Sequence, residues 1–327
     1  MDLWTENLMR KTSRIAGAVL AVAALTGSLA ACGGDALEES KDGGGSGGKG
    51  SLVIGSASFT ESKVLAELYA GVLADAGYKT SITSVKNREL YEPSLEKGEI
   101  DIVPEYAATL AEFLNAKVNG PKAPEEKPVA SSDAKATVAA LTALAEPRGL
   151  KVLPAGGAVD QNAFAVSEEF AGKNKLKTLS DLGKSKLKVK IAAGDECEVR
   201  PFCAPGLKKT YGIDVVGIDP KGVGTPQSKQ AVRDGEDQLV LTTTTDAVLD
   251  GLVFLKDDKK LQNADNVLPV VNAKDAGAAE IADALAKITK VLTTEDLAEL
   301  NRKVDAERVK PEDAAKEYLR SKNLLKK

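Results

Sequence analysis

The chain has 327 residues, a net charge of −4, 43% hydrophobic and 28% charged residues, and no histidine. It is long enough for two lobes of ordinary size, and its interspersed charges form none of the basic stripes that nucleic-acid binding requires. The missing histidine removes histidine-based triads and the commonest metal ligand, so neither a metal site nor a cofactor is expected.

Residues 9–14, Met9-Arg10-Lys11-Thr12-Ser13-Arg14, are positively charged. Residues 15–29 are apolar but short for a bilayer span, and Leu29-Ala30-Ala31-Cys32 follows. That order is a secretory signal, with Met9 as a second possible start. The end of the run resembles a bacterial lipobox. The resemblance implies cleavage before Cys32, lipidation of Cys32, and a polypeptide anchored outside the cytoplasm on the cell membrane. The alternatives are an uncleaved anchor or an ordinary signal with Cys32 incidental. Residues 1–31 are thus read as signal peptide. Residues 32–50, dominated by Gly, Ser and charge, are read as a lipidated flexible tether.

Residues 52–55 are apolar and β-branched and predict a buried strand. A helix follows over 61–76, capped by Ser58 or Thr60, with Glu61 near its positive end and Gly77 closing it. Alternation over 79–85 predicts a strand, and 87–97 a helix stopped at Gly98. A strand over 100–103 ends at Pro104, and a helix covers 106–114. Residues 120–128 predict an exposed loop and 132–146 a helix capped by Ser131, Ser132 or Asp133. Another strand starts at Lys151. Strands over 163–166, 188–194 and 237–242 then alternate with helices over 206–211 and 227–233. The chain ends in helices over 276–291, 294–308 and 311–319. This alternation predicts an α/β fold of two lobes, each a mixed, mostly parallel sheet flanked by helices. Lobe one is expected over 51–158 and 245–327 and lobe two over 159–244. Loops after Ile54, Val103, Ala193 and Leu241 lie at strand carboxyl ends, where such sheets bind ligands.

Cys197 and Cys203 are an even pair in an oxidising compartment and predict a disulfide; two free thiols or a metal site are the alternatives. The bridge shapes the loop around Arg200.

Several segments together resemble the substrate-binding lipoproteins of ABC importers for glycine betaine, choline and related osmoprotectants. They are Ile54-Gly55-Ser56 with Phe59-Thr60-Glu61, the run from Tyr91-Glu92-Pro93 to Pro104-Glu105-Tyr106 with Thr109, and Arg200-Pro201. Pro205-Gly206-Leu207 through Tyr211-Gly212, Thr245-Asp246, Leu252-Val253 and Asp257-Asp258 complete the set. The resemblance implies a two-lobed clamp of the type II periplasmic-binding kind, with ligand between the lobes and no chemistry. The implied partners are a small solute and a membrane ABC permease, and the protein is expected to be a monomer.

Tyr106 matches a cage tyrosine of that family, Thr109 a nearby donor, and Arg200 the arginine that holds a betaine carboxylate. Asp160 is placed at the lobe crossing. Asn162 and Thr243 stand where the family often has cage tyrosines, and Lys229 where another is common. Asn162, Thr243 and Thr245 make the expected lining polar and suit a hydroxyl-bearing ligand. Phe59, Phe164, Phe202 and Tyr211 are the aromatic substitutes, although Phe59 reads as core, Glu105 as a solvated face and Asp246 as a helix cap. Two other functions compete. A lipid-anchored hydrolase lacks a nucleophile elbow, zinc spacing or phosphate loop. A ligand sensor that kept the clamp without transport is compatible with the same sequence.

Overall fold

The computed structural model describes residues 49–246 and 248–326. The signal sequence, Cys32 and the tether through residue 48 lie outside the described residues.

Two five-stranded sheets organise the chain. In the first, β1 (Ser51–Ala57) runs parallel to β2 (Lys79–Val85) and β3 (Ile102–Tyr106). Helix α1 (Thr60–Asp75) follows β1, α2 (Arg88–Lys97) follows β2, and α3 (Ala107–Asn119) starts directly at the end of β3. A short turn α4 (Ala123–Glu126) interrupts the predicted loop, and α5 (Ala134–Ala145) leads to β4 (Leu150–Val152). Asp133 caps α5 by accepting the N–H groups of Lys135 and Ala136, as its short acceptor side chain allows.

The second sheet holds β5 (Asn162–Ser167), β6 (Lys188–Ala193), β7 (Asp214–Pro220), β8 (Leu239–Thr243) and β9 (Leu252–Leu255). Helices α6 (Glu168–Asn174), α7 (Leu179–Ser185), α8 (Ala204–Gly206) and α9 (Pro226–Arg233) flank it. The chain then returns to the first sheet as β10 (Val267–Asn272) and ends in α10 (Ala279–Thr289), α11 (Thr294–Asp305) and α12 (Pro311–Ser321). The strand orders are β2-β1-β3-β10-β4 and β7-β6-β8-β5-β9. In each sheet the fourth strand arrives from the other lobe and pairs antiparallel with its neighbours. Each sheet has apolar clusters on both faces, as expected where helices cover both sides. Among the described residues no helix is long and apolar enough to cross a membrane.

The sheets are mixed, as expected, because β10 and β5 carry the crossings. Other expectations change. Residues 252–255 pair with β5, so the second sheet extends past the expected boundary at 245. Pro104 lies inside β3 instead of ending it. It sits opposite Pro269 of β10, so two residues without an N–H share one rung of the ladder. Neither Ser58 nor Thr60 caps α1: their hydroxyls donate to Lys86 O (3.1 Å) and Asp305 Oδ1 (2.6 Å).

Two antiparallel crossing segments join the lobes. Val159 bridges Asn266, Asp160 N–H donates to Asp265 O (3.1 Å), and Val267 N–H donates to Ala158 O (2.9 Å).

Gly183 in α7 packs directly on the helical turn that ends at Tyr211; a Cβ there would lie 1.9 Å from Tyr211 O. Because that neighbour is backbone and cannot rotate away, Gly183→Ala is expected to cost about 1–3 kcal/mol, the usual range for overpacking. Urea unfolding with an unchanged midpoint would contradict this packing.

Candidate functional site

The strand ends and crossing segments meet around a divided cleft. One cavity, of about 320 Å³, is lined by Tyr106, Thr109, Glu112, Asp160, Gln161, Asn162, Phe202, Thr243, Gln262, Asn263 and Asp265, with Ala108. A second, of about 420 Å³, shares Asp160 and Thr243 with it and adds Phe59, Glu61, Thr245, Asn301 and Asp305 among others. Tyr106, Thr109, Asp160, Asn162 and Thr243 of the predicted set therefore line one cavity, and Thr245 lines its neighbour.

Topology explains the convergence. Tyr106 is the last residue of β3 and the first flank of α3, which brings Thr109 to the same place. Asn162 opens β5 and sits opposite Thr243 at the end of β8. Asp160 and Asp265 ride on the two crossing segments, one on each, and this proximity is long-range in sequence.

The electrostatics are unusual for so polar a cleft. Glu61 is buried, only 5% exposed. Its carboxylate accepts the Tyr106 hydroxyl (2.7 Å) and Asn301 Nδ2 (2.7 Å). Asp160 accepts the Thr245 hydroxyl (2.9 Å). Burial raises the pKa of Glu61, against the pull of its hydrogen bonds from Thr245, Tyr106 and Asn301. Asp160 is pushed up to about 7, first by burial and then by the Glu61 charge, with Thr245 and Thr243 pulling it back. Asp265 is pushed up to about 6 by burial, although the Thr109 hydroxyl and the backbone N–H groups of Thr109 and Ala108 hold its charge. Burial and the adjacent Glu61 charge hold the Tyr106 phenol well above its usual value, so it acts as a donor.

Tyr106 is nearly buried, and its ring centroid lies 6.3 Å from that of Phe59. Phe59, expected in the core, is 49% exposed and faces the cleft. Phe202 lines the first cavity, whereas Phe164 is core and Tyr211 is buried with its hydroxyl on Asp257. Two of the four aromatic substitutes thus reach the cleft.

Arg200 does not line either cavity. Its side chain is 68% exposed and lies 3.7 Å from Glu196, one helical step away. The Cys197–Cys203 disulfide forms, with Cα atoms 5.1 Å apart, and shapes this loop. Phe202 of this loop, not Arg200, lines the first cavity.

Glu105 is buried, not solvated. It accepts a two-pronged contact from Arg88 (2.9 and 2.7 Å) and the Tyr91 hydroxyl (2.6 Å). Asp246 caps no helix; it pairs with the buried Lys229 (2.7 and 2.9 Å) and accepts the Thr242 hydroxyl. Asp265, Gln262 and Asn263 were not anticipated, because they sit in a segment without helical or strand periodicity; Glu112 lies in α3, a helix that was predicted, but no motif singled it out. Glu61 was read only as a helix-terminus charge.

Residues 50–321 match the family described as the substrate-binding domain of the ABC-type glycine betaine transport system. A glycine-betaine-binding protein of Pseudomonas aeruginosa is 27% identical over 286 residues, 84% of this chain and 88% of that protein. A solved glycine betaine/carnitine/choline ABC transporter protein superposes with a TM-score of 0.71 at 20% identity, over 84% of this chain and 98% of its own. Apo YehZ from Escherichia coli gives 0.69 at 23% identity, over 84% and 99%. These two structures share the fold of two mixed α/β sheets.

The cleft carboxyls predict a pH dependence with a definite sign. A folded-state pKa above the unfolded value means that the folded protein binds the proton more tightly, so stability falls as pH rises toward the raised value. With Asp160 raised from 3.8 to about 7, its contribution to the stability of the unliganded protein is expected to fall as pH rises from about 4 to 7 and to level off above that. The Asp160 share is on the order of a few kcal/mol, and Asp160→Asn should remove this pH dependence. Urea titrations of both proteins across this range check it; equal slopes would contradict the assignment.

Proposed function

Because the chain belongs to the family of substrate-binding domains of ABC-type glycine betaine transport systems, we propose that it captures a glycine betaine- or choline-type solute in the interlobe cleft and delivers it to a membrane permease. The family binds solutes and does not transform them. Lipidation of Cys32 would hold the protein outside the cytoplasm as a monomer close to that permease, where tethering raises the local concentration.

The observation that carries this reading is the composition of the cleft. Aromatic faces from Tyr106, Phe59 and Phe202 lie beside the carboxylates of Asp160 and Asp265. A quaternary ammonium offers no N–H, so directional hydrogen bonds cannot hold it. Aromatic faces hold it through cation–π attraction, roughly 0.5–2 kcal/mol each, and nearby carboxylates add unscreened attraction as closure excludes water. Tyr106 meets both needs: its ring lines the cavity and its hydroxyl is tied to Glu61, so the ring is fixed before ligand arrives. A preset ring loses little freedom on binding. Asn162, Thr243, Gln161 and Asn263 add neutral hydrogen-bonding groups suited to a ligand hydroxyl.

The two crossing segments are the natural hinge. In this reading, opening and closing would change the angle between the sheets about the backbone pair at Val159 and Asn266. A sensor without transport would use the same cleft, and transport therefore rests on the permease encounter.

Titration calorimetry of the full chain with glycine betaine and choline tests this reading; binding of neither to folded protein would overturn it. Tyr106→Ala is expected to weaken binding by about tenfold or more, as loss of one desolvated cation–π face implies. Arg200→Ala, at an exposed pair outside the cleft, should change affinity by less than about twofold.

A further inference from the structure

The two cavities that share Asp160 are lined for a positive charge and carry no cationic side chain to meet a negative one. Among the described residues, no lysine or arginine lines either cavity, whereas Glu61, Asp160, Asp265 and Glu112 do. Lys256 and Arg302 line a separate cavity beyond Gln161, Asn162 and Gln262, where Glu299 and Glu307 hold Arg302, and three other cations near the cleft are already engaged. Arg88 is forked onto Glu105 at 2.9 and 2.7 Å. Lys229 gives its protons to both oxygens of Asp246 and to Val248 O (3.0 Å). Arg200 stands at the surface beside Glu196.

The donors best placed for a ligand carboxylate are those at the start of α3, where the helix presents free N–H groups and its positive end. Here a carboxylate of the protein already holds them. Asp265 Oδ1 accepts Ala108 N–H at 2.7 Å and Thr109 N–H at 3.0 Å, and Asp265 Oδ2 accepts the Thr109 hydroxyl. Asp265 comes from the returning crossing segment, so its carboxylate reaches α3 only in the folded chain. With its pKa pushed only to about 6, it is an anion at neutral pH. Thr109, predicted as a donor to ligand, therefore spends its proton on Asp265.

Resting on the function proposed above, we infer that this cleft selects a cation bearing a hydroxyl, of the choline type, over a zwitterion bearing a carboxylate, of the betaine type, and that Asp265 is the residue that sets this preference by occupying the α3 donors. Choline and glycine betaine share the same trimethylammonium group, so their aromatic contacts are alike. Selectivity is the difference between two affinities, and here that difference falls on the other end of the ligand. A ligand hydroxyl can donate to a cleft carboxylate and accept from Asn162 or Asn263. A ligand carboxylate meets neutral amides and hydroxyls beside like charges, and like charges in a desolvated site repel.

The test is calorimetry of the full chain with choline and with glycine betaine at pH 7.5, on the native sequence and two variants. Native protein is expected to bind choline at least about tenfold more tightly, about 1.4 kcal/mol. Asp265→Ala frees the α3 donors and is expected to narrow the choline-to-betaine ratio by about tenfold, mainly by improving betaine. Asp265→Asn retains an acceptor for the helix while removing the charge. It keeps the test valid should the alanine variant fail to fold, and should narrow the ratio by a smaller factor. Betaine binding as tightly as choline, or a ratio unmoved in the asparagine variant, overturns this inference and leaves the proposed function standing. Binding of neither ligand to folded native protein overturns both.

Discussion

Two carboxyl groups, Glu61 and Asp160, lie against each other where the lobes join, with neutral partners and no lysine or arginine among the cavity-lining residues. Burying a carboxylate without a cation is costly, and the cost shows as raised proton affinity in both groups. Four elements supply the groups that make it tolerable: Tyr106 from the end of β3, Asn301 from α11, Thr245 from the loop after β8, and the first turn of α1 that carries Glu61. A helix N-terminus stabilises an anion in its first turn, so Glu61 also gains from its position. The same network fixes the cleft: each side chain that neutralises Glu61 or Asp160 is also part of the wall.

A stability-only design would have placed a lysine here or removed both acids. The chain does so elsewhere, with Lys229 on Asp246 and Arg88 on Glu105, both pairs largely buried and multiply bonded. Leaving the cleft pair without a cation is therefore a local departure from the rule followed nearby, and such departures concentrate at functional sites. In the function proposed above, a cationic ligand would complete the charge balance that the protein omits. The crossing segments serve the same end, since they carry Asp160 and Asp265 into the gap between lobes whose cores are separate apolar clusters.

Much of this was legible in sequence. Helix and strand periodicities located β2 to the residue and α1, α2, α9 and α11 to within a few positions at each end. Resemblance pointed to Tyr106, Thr109, Asn162 and Thr243, and Asp160 was placed at the lobe crossing; Tyr106, Asn162 and Thr243 sit at strand ends, where this architecture gathers ligand contacts, and Thr109 lies in the first turn of the helix that follows Tyr106. The strands β7, β9 and β10 were not foreseen. β10 holds a proline, lies inside a sheet and has no alternation to reveal it, since both of its faces are covered. Arg200 stands outside both cavities for a different reason: motif position marks the loop, but which side chain of that loop faces inward is settled only in the folded chain, where it is Phe202.

By itself, the sequence determined the α/β class, the two-lobed plan, the disulfide pairing and most of the strand ends that meet at the cleft. These follow from local periodicity, residue chemistry and short spacing. Tertiary structure alone decided the charge of the cleft. Asp265 reaches the start of α3 from 156 residues away, and Asn301 reaches Glu61 from 240. Which donors remain free for a ligand depends on those long-range partners, because a hydrogen-bond donor already engaged is unavailable however well its residue type fits.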